Sequence, residues 1–338
     1  MNNTLVVTGC AGFIGGTFTY KALSLGYKVV GVDSFINSSP STVSKIAHKF
    51  PETFIFIEED LAKSTNHLEQ NINDISIDAV IHFAGLKAVG ESEHEPLKYW
   101  ENNLFSSTNL LRLMDAYKIK KFIFSSSATV YGDSTVQPIL ESNNIKSTSA
   151  YGSTKIAIEQ LLADCARAGL VDVVSLRYFN PVGAHQEMII HEDPYDMPNN
   201  LMPRIIRVAL NLDQKLQIYG NNYDTRDGTG ERDYIHIDDL VDGHFKAIEY
   251  IKDFKGFEVF NLGTGQSVTV NELIACFEEV NGIQISHEYS DRRSGDVAKC
   301  FADPSKAANL LGWSTQKDLV DMCTDSWRAI KKDINDAQ

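Results

Sequence analysis

Long apolar runs and paired cysteines are both missing from this sequence. Its apolar runs, such as Leu5-Val6-Val7, are far below the roughly 18–20 residues that a membrane-spanning helix needs, and a signal-peptide pattern is absent as well. The cysteines are odd in number and include no C-x-x-C pair, so we expect no disulfide framework, no metal site and a cytoplasmic location. They are Cys10, Cys165, Cys276, Cys300 and Cys323.

Positive charge is also in short supply. The chain has 31 Lys and Arg against 45 Asp and Glu, which gives a formal net charge of −14. A nucleic-acid binder needs clustered basic residues, so we predict no nucleic-acid partner, although a local basic pocket for an anionic small molecule stays open. The 338 residues, 43% of them hydrophobic, exceed what one core usually holds and predict two lobes.

β-rich segments alternate with helical segments through the first half of the chain. The β-rich runs are continuously apolar, as in strands that are buried on both faces, and they predict a doubly wound parallel sheet of the α/β class. We place strands at Leu5–Thr8, Lys28–Asp33, Phe54–Glu58, Ala79–Phe83, Lys121–Ser125, Asp172–Tyr178 and Val259–Gly263, and helices at Phe13–Leu25, Tyr99–Tyr117 and Tyr151–Ala168.

A glycine-rich turn follows the first strand and opens the first helix. Gly9, Gly12 and Gly15 stand in G-x-x-G-x-x-G spacing, where backbone without Cβ can turn tightly and a helix N-terminus can face a diphosphate. Asp33 ends the second strand and would accept hydrogen bonds from an adenosine ribose while repelling a 2′-phosphate. The pattern predicts a Rossmann fold that binds NAD rather than NADP.

The texture of the sequence changes after Asn180. Prolines and an Asn-Asn pair mark a long irregular connection there, and a strand-like run returns near residue 259. We therefore predict an NAD-binding Rossmann domain over residues 1–180, to which the chain returns around 233–263. A smaller α/β substrate lobe should occupy residues 181–338.

Tyr151 and Lys155 stand four residues apart in a predicted helix. At that spacing the phenol and the ammonium project from one helical face, and the positive charge should lower the tyrosine pKa from its usual value of about 10. Ser125, Ser126 and Ser127 lie at the carboxyl edge of a predicted strand, where open α/β sheets bind ligands. This combination predicts a general base for hydride chemistry at a hydroxyl group.

The sequence resembles the sugar-nucleotide 4-epimerases of the extended short-chain dehydrogenase/reductase family over nearly its whole length. The stretches that carry the resemblance are His82–Ser92, Ser125–Gly132, Leu176–Ala184, Pro198–Pro203 and Arg232–His236. The resemblance implies that UDP-glucose and UDP-galactose are interconverted at C4 through a 4-keto intermediate with tightly bound NAD. It also implies a homodimer that pairs through the helices around residues 99–117 and 151–168.

The same resemblance implies roles for individual residues around NAD. Tyr151 would be the acid/base, Lys155 would bind the nicotinamide ribose and tune Tyr151, and Ser127 would assist at the substrate hydroxyl. Ser34 departs from the Asn that the family usually carries and offers a shorter side chain to the ribose. The cofactor would be lined by Gly9, Gly12, Phe13, Ile14, Gly15, Asp33, Ser34, Asp60, Leu61, Phe83, Ala84, Gly85, Lys87, Asn102, Ser125, Tyr151, Lys155 and Tyr178.

The resemblance implies a second group of residues around the UDP-hexose substrate. Arg232 and Arg293 would hold the phosphates, since guanidinium forks match phosphate oxygens, and Asp296 would hold the uridine ribose. Cys300 replaces a bulky Tyr of some family members, so we expect room for the N-acetyl group of UDP-GlcNAc or UDP-GalNAc. The substrate set is Ser127, Tyr151, Asn180, Asn200, Leu201, Gln217, Tyr219, Arg232, Arg293, Asp296 and Cys300.

Other functions share parts of this pattern. A sugar-nucleotide 4,6-dehydratase needs an acid pair in the loop that here reads Ala128-Thr129-Val130, which has no carboxylate. A catalytically silent NAD-binding regulator is expected to have lost Tyr151 or Lys155, and both are present. Another NAD-dependent UDP-sugar epimerase, or a decarboxylase acting on UDP-glucuronate, stays an alternative.

Overall fold

The computed structural model describes residues 3–185, 187, 190–192, 198–293 and 296–337. The chain divides into two compact units, each built from three segments. The first comprises residues 1–130, 145–177 and 244–260, and the second comprises residues 131–144, 178–243 and 261–338. The segment 131–144 thus lies in the second unit, although it falls within the predicted first domain. The assignment of one unit to NAD and the other to a nucleotide sugar stays a prediction.

Strands and helices alternate regularly in the first half of the chain and less regularly afterwards. The strands are β1 (Thr4–Thr8), β2 (Lys28–Asp33), β3 (Phe54–Glu58), β4 (Ala79–His82), β5 (Lys121–Ser127), β6 (Asp172–Tyr178), β7 (Asn180–Val182), β8 (Leu216–Tyr219), β9 (Glu231–Arg232), β10 (Tyr234–His236), β11 (Phe257–Leu262), β12 (Val268–Thr269), β13 (His287–Ser290) and β14 (Lys299–Cys300).

The helices that join them differ widely in length. They are α1 (Phe13–Ser24), α2 (Pro40–Lys49), α3 (Asn66–Ile72), α4 (Val89–His94), α5 (Pro96–Tyr117), α6 (Ala150–Arg167), α7 (Leu201–Ala209), α8 (Ile237–Tyr250), α9 (Val270–Asn281), α10 (Ser305–Leu311) and α11 (Leu319–Ala337). Among the described helices, none combines the length and apolar character needed to cross a membrane.

A seven-stranded sheet in the order β11-β6-β5-β4-β1-β2-β3 carries the first unit. The pairings of β1 with β2 and β4, of β2 with β3 and of β4 with β5 are all parallel. The run from β3 to β6 has the strand order 3-2-1-4-5-6 of dinucleotide-binding sheets. The predicted α/β class with a parallel sheet is confirmed, and the order reverses between β1 and β4, where such folds bind ligands.

The core of the first unit explains why β5 and α6 are held firmly together. Val80, Phe122 and Phe124 contribute fully buried side chains from the sheet, and Ile158 and Leu162 contribute them from α6. Each such side chain contributes roughly 1.5–3 kcal/mol when it leaves water. The carboxyl end of β5 and the first turns of α6 therefore start from a rigid base.

The second unit has its own core and smaller sheets. Its sheets have the orders β12-β9-β14, β13-β8 and β10-β7. Buried side chains of α7, α9 and α11, among them Ile205, Phe277 and Trp327, pack into one cluster. Trp313 is 3% exposed and Trp327 is 7% exposed, so both tryptophans are buried.

Candidate functional site

The glycine turn after β1 is built without side chains. Gly9 has φ +71°, and a Cβ there would lie 2.7 Å from the Ala84 nitrogen. A Cβ on Gly15 would lie 2.1 Å from the Gly9 oxygen. At Gly12, by contrast, a Cβ would meet only the Gly9 oxygen, at 3.5 Å, so the backbone there faces open space. Only glycine fits at positions 9 and 15, whereas Gly12 leaves room for a ligand.

The first turn of the helix that follows carries no acidic side chain. Gly12 caps α1 without a side-chain hydrogen bond, and the first turn, where Phe13, Ile14 and Gly15 lie, contains no acidic residue. The positive end of the helix dipole and its first amide groups are therefore not neutralised by an acidic side chain of that turn. This arrangement fits the diphosphate of a dinucleotide.

Asp33 links the end of β2 to the glycine turn. Its Oδ2 accepts a 2.9 Å hydrogen bond from the Ala11 nitrogen, and its Oδ1 accepts from the Phe35 nitrogen at 3.0 Å and from the Ser38 hydroxyl at 2.8 Å. One lone pair of Oδ2 remains for a ribose hydroxyl. Ser34 is half-buried directly after the strand. The fit of Asp33 to an adenosine ribose agrees with the predicted use of NAD.

The predicted adenine side follows β3. The Asp33 backbone oxygen accepts from the Glu59 nitrogen at 3.0 Å, which connects this segment to the end of β2. Asp60 comes next and accepts from the Ala62 nitrogen at 3.1 Å, and Leu61 is 4% exposed. Both predicted residues therefore lie at the carboxyl edge of the sheet, beside Asp33.

The loop after β4 carries the next predicted cofactor residues, which are Phe83, Ala84, Gly85 and Lys87. The Phe83 nitrogen donates to the Thr8 oxygen at 3.1 Å, so the loop begins beside the end of β1. A Cβ on Gly85 would lie 3.1 Å from Asn103 Oδ1 and 3.9 Å from Lys155 Nζ. The loop thus connects the glycine turn with the catalytic lysine predicted from the sequence. Lys87 is exposed.

Asn103 holds this loop, and sequence reasoning missed it in favour of its neighbour Asn102. Its Oδ1 accepts from the Leu86 nitrogen at 2.8 Å, and its Nδ2 donates to the Leu86 oxygen and to Thr154 Oγ1, both at 3.1 Å. Asn103 is 1% exposed, whereas Asn102 is half-buried. The available signal was two asparagines inside a predicted helix, where asparagine is a poor helix former.

Ser127 and Tyr151 meet where β5 ends and α6 begins. The Thr129 nitrogen and hydroxyl both donate to the Ser127 hydroxyl oxygen, at 3.2 and 3.0 Å. The Ser127 hydroxyl also interacts with the Tyr151 phenol. The structure therefore brings together the predicted acid/base and the predicted hydroxyl partner. The interaction with Ser127 lowers the pKa of Tyr151.

Burial opposes this effect, and the prediction that Lys155 lowers the pKa of Tyr151 is wrong. Burial raises the pKa of Tyr151 to about 12, and only the Ser127 hydrogen bond lowers it. Lys155 Nζ instead donates to the Ser125 oxygen at 2.7 Å and lies 4.7 Å from the centroid of the Phe124 ring. Burial also lowers the pKa of Lys155, to about 8. A dry site thus disfavours both charges, the opposite of a simple lowering of the Tyr151 pKa.

In the second unit, Tyr219, Arg293 and Asp296 form one predicted group. The Arg293 guanidinium carbon lies 4.5 Å from the centroid of the Tyr219 ring, and Arg293 Nε donates to Asp296 Oδ2 at 3.0 Å. Gln217 precedes this group on β8 and pairs with Glu288 of β13. Ser294 and Gly295, which separate Arg293 from Asp296 in the sequence, lie outside the described residues.

Arg232 and Cys300 are register partners in the pairing of β9 with β14. Arg232 Nη1 donates to the Glu231 oxygen at 2.9 Å. The Cys300 side chain is small. Because burial raises the pKa of its thiol to about 11, it is also uncharged at neutral pH. These two predicted residues therefore share one short sheet.

Asp233 supports this sheet from within, and its role escaped the sequence analysis. Its carboxylate accepts from the nitrogens of Thr264 at 2.8 Å, Gly265 at 3.0 Å and Ala302 at 3.1 Å, and from the Thr264 hydroxyl at 2.7 Å. The Asp233 nitrogen donates to the Cys300 oxygen at 3.1 Å. One buried carboxylate thus organises the chain on either side of Arg232 and Cys300.

Tyr223 is a second residue of this unit that the sequence did not single out. It is 7% exposed, and its hydroxyl finds no hydrogen-bond partner within the described part of the chain. Burial raises its pKa, Asp296 raises it further, and Arg292, Arg232 and Arg293 lower it. Three guanidinium groups around one phenol make a local positive site suited to phosphate oxygens.

The remaining predicted residues are placed as follows. The Asn180 nitrogen donates to the Asp233 oxygen at 2.9 Å. Asn200 caps α7, and its Nδ2 donates to Glu192 at 2.6 Å, while Leu201 begins the helix and packs against the core. Tyr178 ends β6 and falls in the second unit. Contact with a cofactor or a sugar stays a prediction for these four residues.

Comparison with known proteins gives matches over most of this chain. The family model of the NAD dependent epimerase/dehydratase family matches residues 5–263. A UDP-glucose 4-epimerase of Bacillus subtilis is 44% identical over 332 residues, which cover 98% of each chain.

Solved structures give the same result over the full length. A UDP-glucose 4-epimerase of Stenotrophomonas maltophila, with bound NAD and formylated UDP-arabinopyranose, is 41% identical with a TM-score of 0.94 and complete coverage of both chains. One from Bifidobacterium longum, in complex with NAD⁺ and UDP, is 42% identical with a TM-score of 0.93, covering 98% of this chain and 99% of that one.

Proposed function

Because this chain belongs to the NAD dependent epimerase/dehydratase family, we propose that it interconverts UDP-glucose and UDP-galactose by epimerisation at C4. The observation that carries the proposal is the placement of Tyr151 beside Ser127 and Lys155. Ser127 lowers the pKa of the phenol, and Lys155 Nζ lies 5.8 Å from the centroid of the Tyr151 ring. The loop Ala128-Thr129-Val130 lacks the carboxylates that a dehydratase needs. The basic cluster around Tyr223 suits the diphosphate of UDP.

The residues present fit NAD. The open backbone at Gly12 and the uncapped start of α1 would hold the diphosphate, and Asp33 Oδ2 would hold the adenosine ribose. Lys155 would hold the nicotinamide ribose. When bound, NAD⁺ supplies a hydride acceptor for C4 and returns that hydride, so that no net oxidation occurs.

The chain itself handles the proton. Tyr151 would take the proton of the sugar 4-hydroxyl as the 4-keto sugar forms and would give it back when the hydroxyl is restored. Ser127 keeps the phenol oxygen oriented, and its hydrogen bond favours the phenolate. Lys155 Nζ lies 5.8 Å from the centroid of the Tyr151 ring and would supply a compensating charge in a dry site.

Substitution of Tyr151 tests this function. We expect Tyr151→Phe to fold and to retain NAD, because the ring and its packing are kept. Its kcat for UDP-galactose should fall about 10²- to 10⁴-fold, the usual contribution of a general acid/base. The measurement is conversion of UDP-galactose to UDP-glucose, with bound NAD quantified after denaturation.

Tyr117→Phe is the matched control, since it removes a half-buried phenol hydroxyl that donates to Asn73 Oδ1 and to the Glu69 oxygen rather than to a residue of the candidate site. It should leave kcat within about twofold, because the ring and its packing are kept. Near-normal turnover by Tyr151→Phe would remove the proposed acid/base. Wild-type turnover of UDP-glucuronate with loss of CO₂, and none of UDP-galactose, would instead make the protein a decarboxylase.

Cys300 supports a broader substrate range within the same function. Its side chain is small and uncharged where we infer the hexose 2-position to be. We expect wild type to epimerise UDP-GalNAc, and Cys300→Tyr to lose this activity more than tenfold while keeping that on UDP-galactose, because a phenol fills the space of the N-acetyl group. Product identification by chromatography decides, and undetectable wild-type turnover of UDP-GalNAc contradicts the idea.

Two properties of the whole protein complete the proposal. The five cysteines are free thiols in the structure, which agrees with a cytoplasmic location. α5 exposes Leu97 and Phe105, which supports a homodimer that pairs through α5 and α6.

A further inference from the structure

The first turn of α6 carries Tyr151, and the way this turn is capped is unusual. The helix has no acidic residue in its first turn, so its own sequence supplies no negative charge at the positive end. Ser149 Oγ accepts from the Gly152 nitrogen at 3.1 Å, as an ordinary N-cap does. The amides of Ala150 and Tyr151 need other acceptors.

The short helix α4 supplies both of them. Glu93 Oε1 accepts from the Ala150 nitrogen at 2.7 Å, and Ser92 Oγ accepts from the Tyr151 nitrogen at 3.1 Å. These partners are 57 and 59 residues distant in sequence. Ser92 is 0% exposed, and its hydroxyl proton goes to the Val89 oxygen at 2.6 Å. Its remaining capacity as an acceptor is directed at the backbone of Tyr151.

α4 is itself anchored close to the Tyr151 ring. The Tyr99 hydroxyl donates to Glu91 at 2.7 Å and accepts from the Ala88 nitrogen at 3.1 Å. The Tyr99 ring stands edge-on to the Tyr151 ring, with 6.5 Å between centroids and an interplanar angle of 80°. The backbone of Tyr151 is therefore held by α4, and its ring contacts Tyr99 of α5, the residue that anchors α4.

The first turn of α6 is also closely packed around Gly152. A Cβ on Gly152 would lie 2.1 Å from Ser147 Oγ and 2.9 Å from the Thr129 oxygen. Thr129 also holds Ser127, the hydrogen-bond partner of Tyr151. A displacement of the first turn of α6 would therefore change the phenol's position relative to Ser127.

We propose that Ser92, assisted by Glu93, is a positioning residue for the reaction, which fixes Tyr151 through its backbone amide. Ser92 touches neither substrate nor cofactor in this proposal, which rests on the proposed function of Tyr151. Removal of the hydroxyl leaves a buried amide without its acceptor, and the turn must shift to find another. A misplacement of about 1 Å at a reacting group lowers a rate as much as 100-fold.

Ser92→Ala tests the proposal. We expect kcat for UDP-galactose to fall about 10- to 100-fold, with KM for the substrate and the amount of bound NAD within about twofold of wild type. Glu93→Ala should lower kcat by a smaller factor, since Glu93 is exposed. Glu93→Gln keeps an oxygen acceptor and should retain most of the kcat that Glu93→Ala loses.

Ser326→Ala is the matched control. Ser326 is 3% exposed, accepts from the Gly183 nitrogen at 3.2 Å and donates to the Met322 oxygen at 2.7 Å, which is the same bonding pattern as that of Ser92. Its loss should lower the melting temperature as Ser92→Ala does and leave kcat within about twofold.

Three outcomes overturn the proposal. They are a kcat of Ser92→Ala within twofold of wild type, an equal loss of kcat in Ser326→Ala, and a loss that appears in KM alone. Failure of the proposed function looks different, because wild type would then not convert UDP-galactose at all. If wild type converts it, Tyr151→Phe loses this activity and Ser92→Ala keeps a kcat within twofold of wild type, only the positioning role fails.

Discussion

At the scale of single residues, His82 shows how a buried polar chain reaches the candidate site. Thr8 Oγ1 accepts from the Ala84 nitrogen and bonds His82 Nδ1 at 2.7 Å, and His82 Nε2 lies 3.1 Å from Ser107 Oγ. Because the Ser107 proton goes to the Asn103 oxygen, Nε2 must carry the ring proton and Nδ1 must accept. A neutral histidine thus connects the loop after β4 with α5.

The pKa of His82 predicts an acid sensitivity. Burial and, to a smaller extent, the charge of Lys155 lower it to about 3, whereas an unfolded chain has about 6.5. Below pH 6.5 the unfolded state binds a proton that the folded state does not, so stability falls as pH falls toward 3. By pH 5 the loss relative to pH 8 is about 2 kcal/mol. His82→Gln should shrink this difference, measured as urea unfolding at the two pH values.

His48→Gln is the control for this measurement, because the His48 ring is exposed on α2. It should leave the change in unfolding free energy between pH 8 and pH 5 as in wild type. An unchanged pH dependence in His82→Gln would show that other groups produce the acid sensitivity.

Sequence reasoning singled out residues whose chemistry and spacing are local. Gly9, Asp33, Tyr151 and Lys155 lie in short sequence patterns, and their roles toward cofactor and substrate stay predictions. The predicted direction of the Tyr151 pKa shift was wrong, because spacing along a helix reveals a nearby charge but not how deeply the phenol is buried.

At the scale of elements, the predicted strands of the main sheet are all present, and their ends show what sequence patterns miss. β5 runs to Ser127 rather than Ser125, so the serine predicted to assist at the substrate hydroxyl is part of the strand and not of a loop. α5 begins at Pro96 rather than Tyr99, since proline is favourable in the first turn of a helix.

α4 was not predicted at all, although two of its side chains cap α6, the helix of the predicted acid/base. Six residues are too few to show a helical period, and short helices are held by tertiary contacts rather than by propensity. Asp233 was missed for a related reason, since it bonds residues 31, 32 and 69 positions away in sequence. Supporting residues of a site are visible only once the fold has brought distant segments together.

At the scale of the whole molecule, the net charge of −14 does not describe the sites. Arg232, Arg292 and Arg293 all act on Tyr223, which places three positive charges in one part of the second unit. Global charge governs solubility and long-range steering, while a local cluster governs the ligand. An acidic protein can therefore bind a nucleotide diphosphate.

The exposed face of α5 predicts how copies of the chain associate. Leu97 and Phe105 are 74% and 51% exposed, and their spacing of eight residues places them on the same face of the helix. A two-fold interface uses each residue twice, and burial of each phenylalanine contributes roughly 1.5–3 kcal/mol. We expect wild type to sediment as a dimer of 37.6 kDa chains, and Phe105→Glu to weaken the dimer at least 100-fold.

Leu310→Glu is the matched control for this experiment, since Leu310 of α10 is also 51% exposed and adds the same charge when replaced. It should leave the sedimentation coefficient unchanged at every protein concentration. A wild-type chain that sediments as a monomer at micromolar concentration would contradict the homodimer. A Phe105→Glu variant as dimeric as Leu310→Glu would move the interface away from α5, because a charge buried twice at a two-fold axis without partners cannot be tolerated.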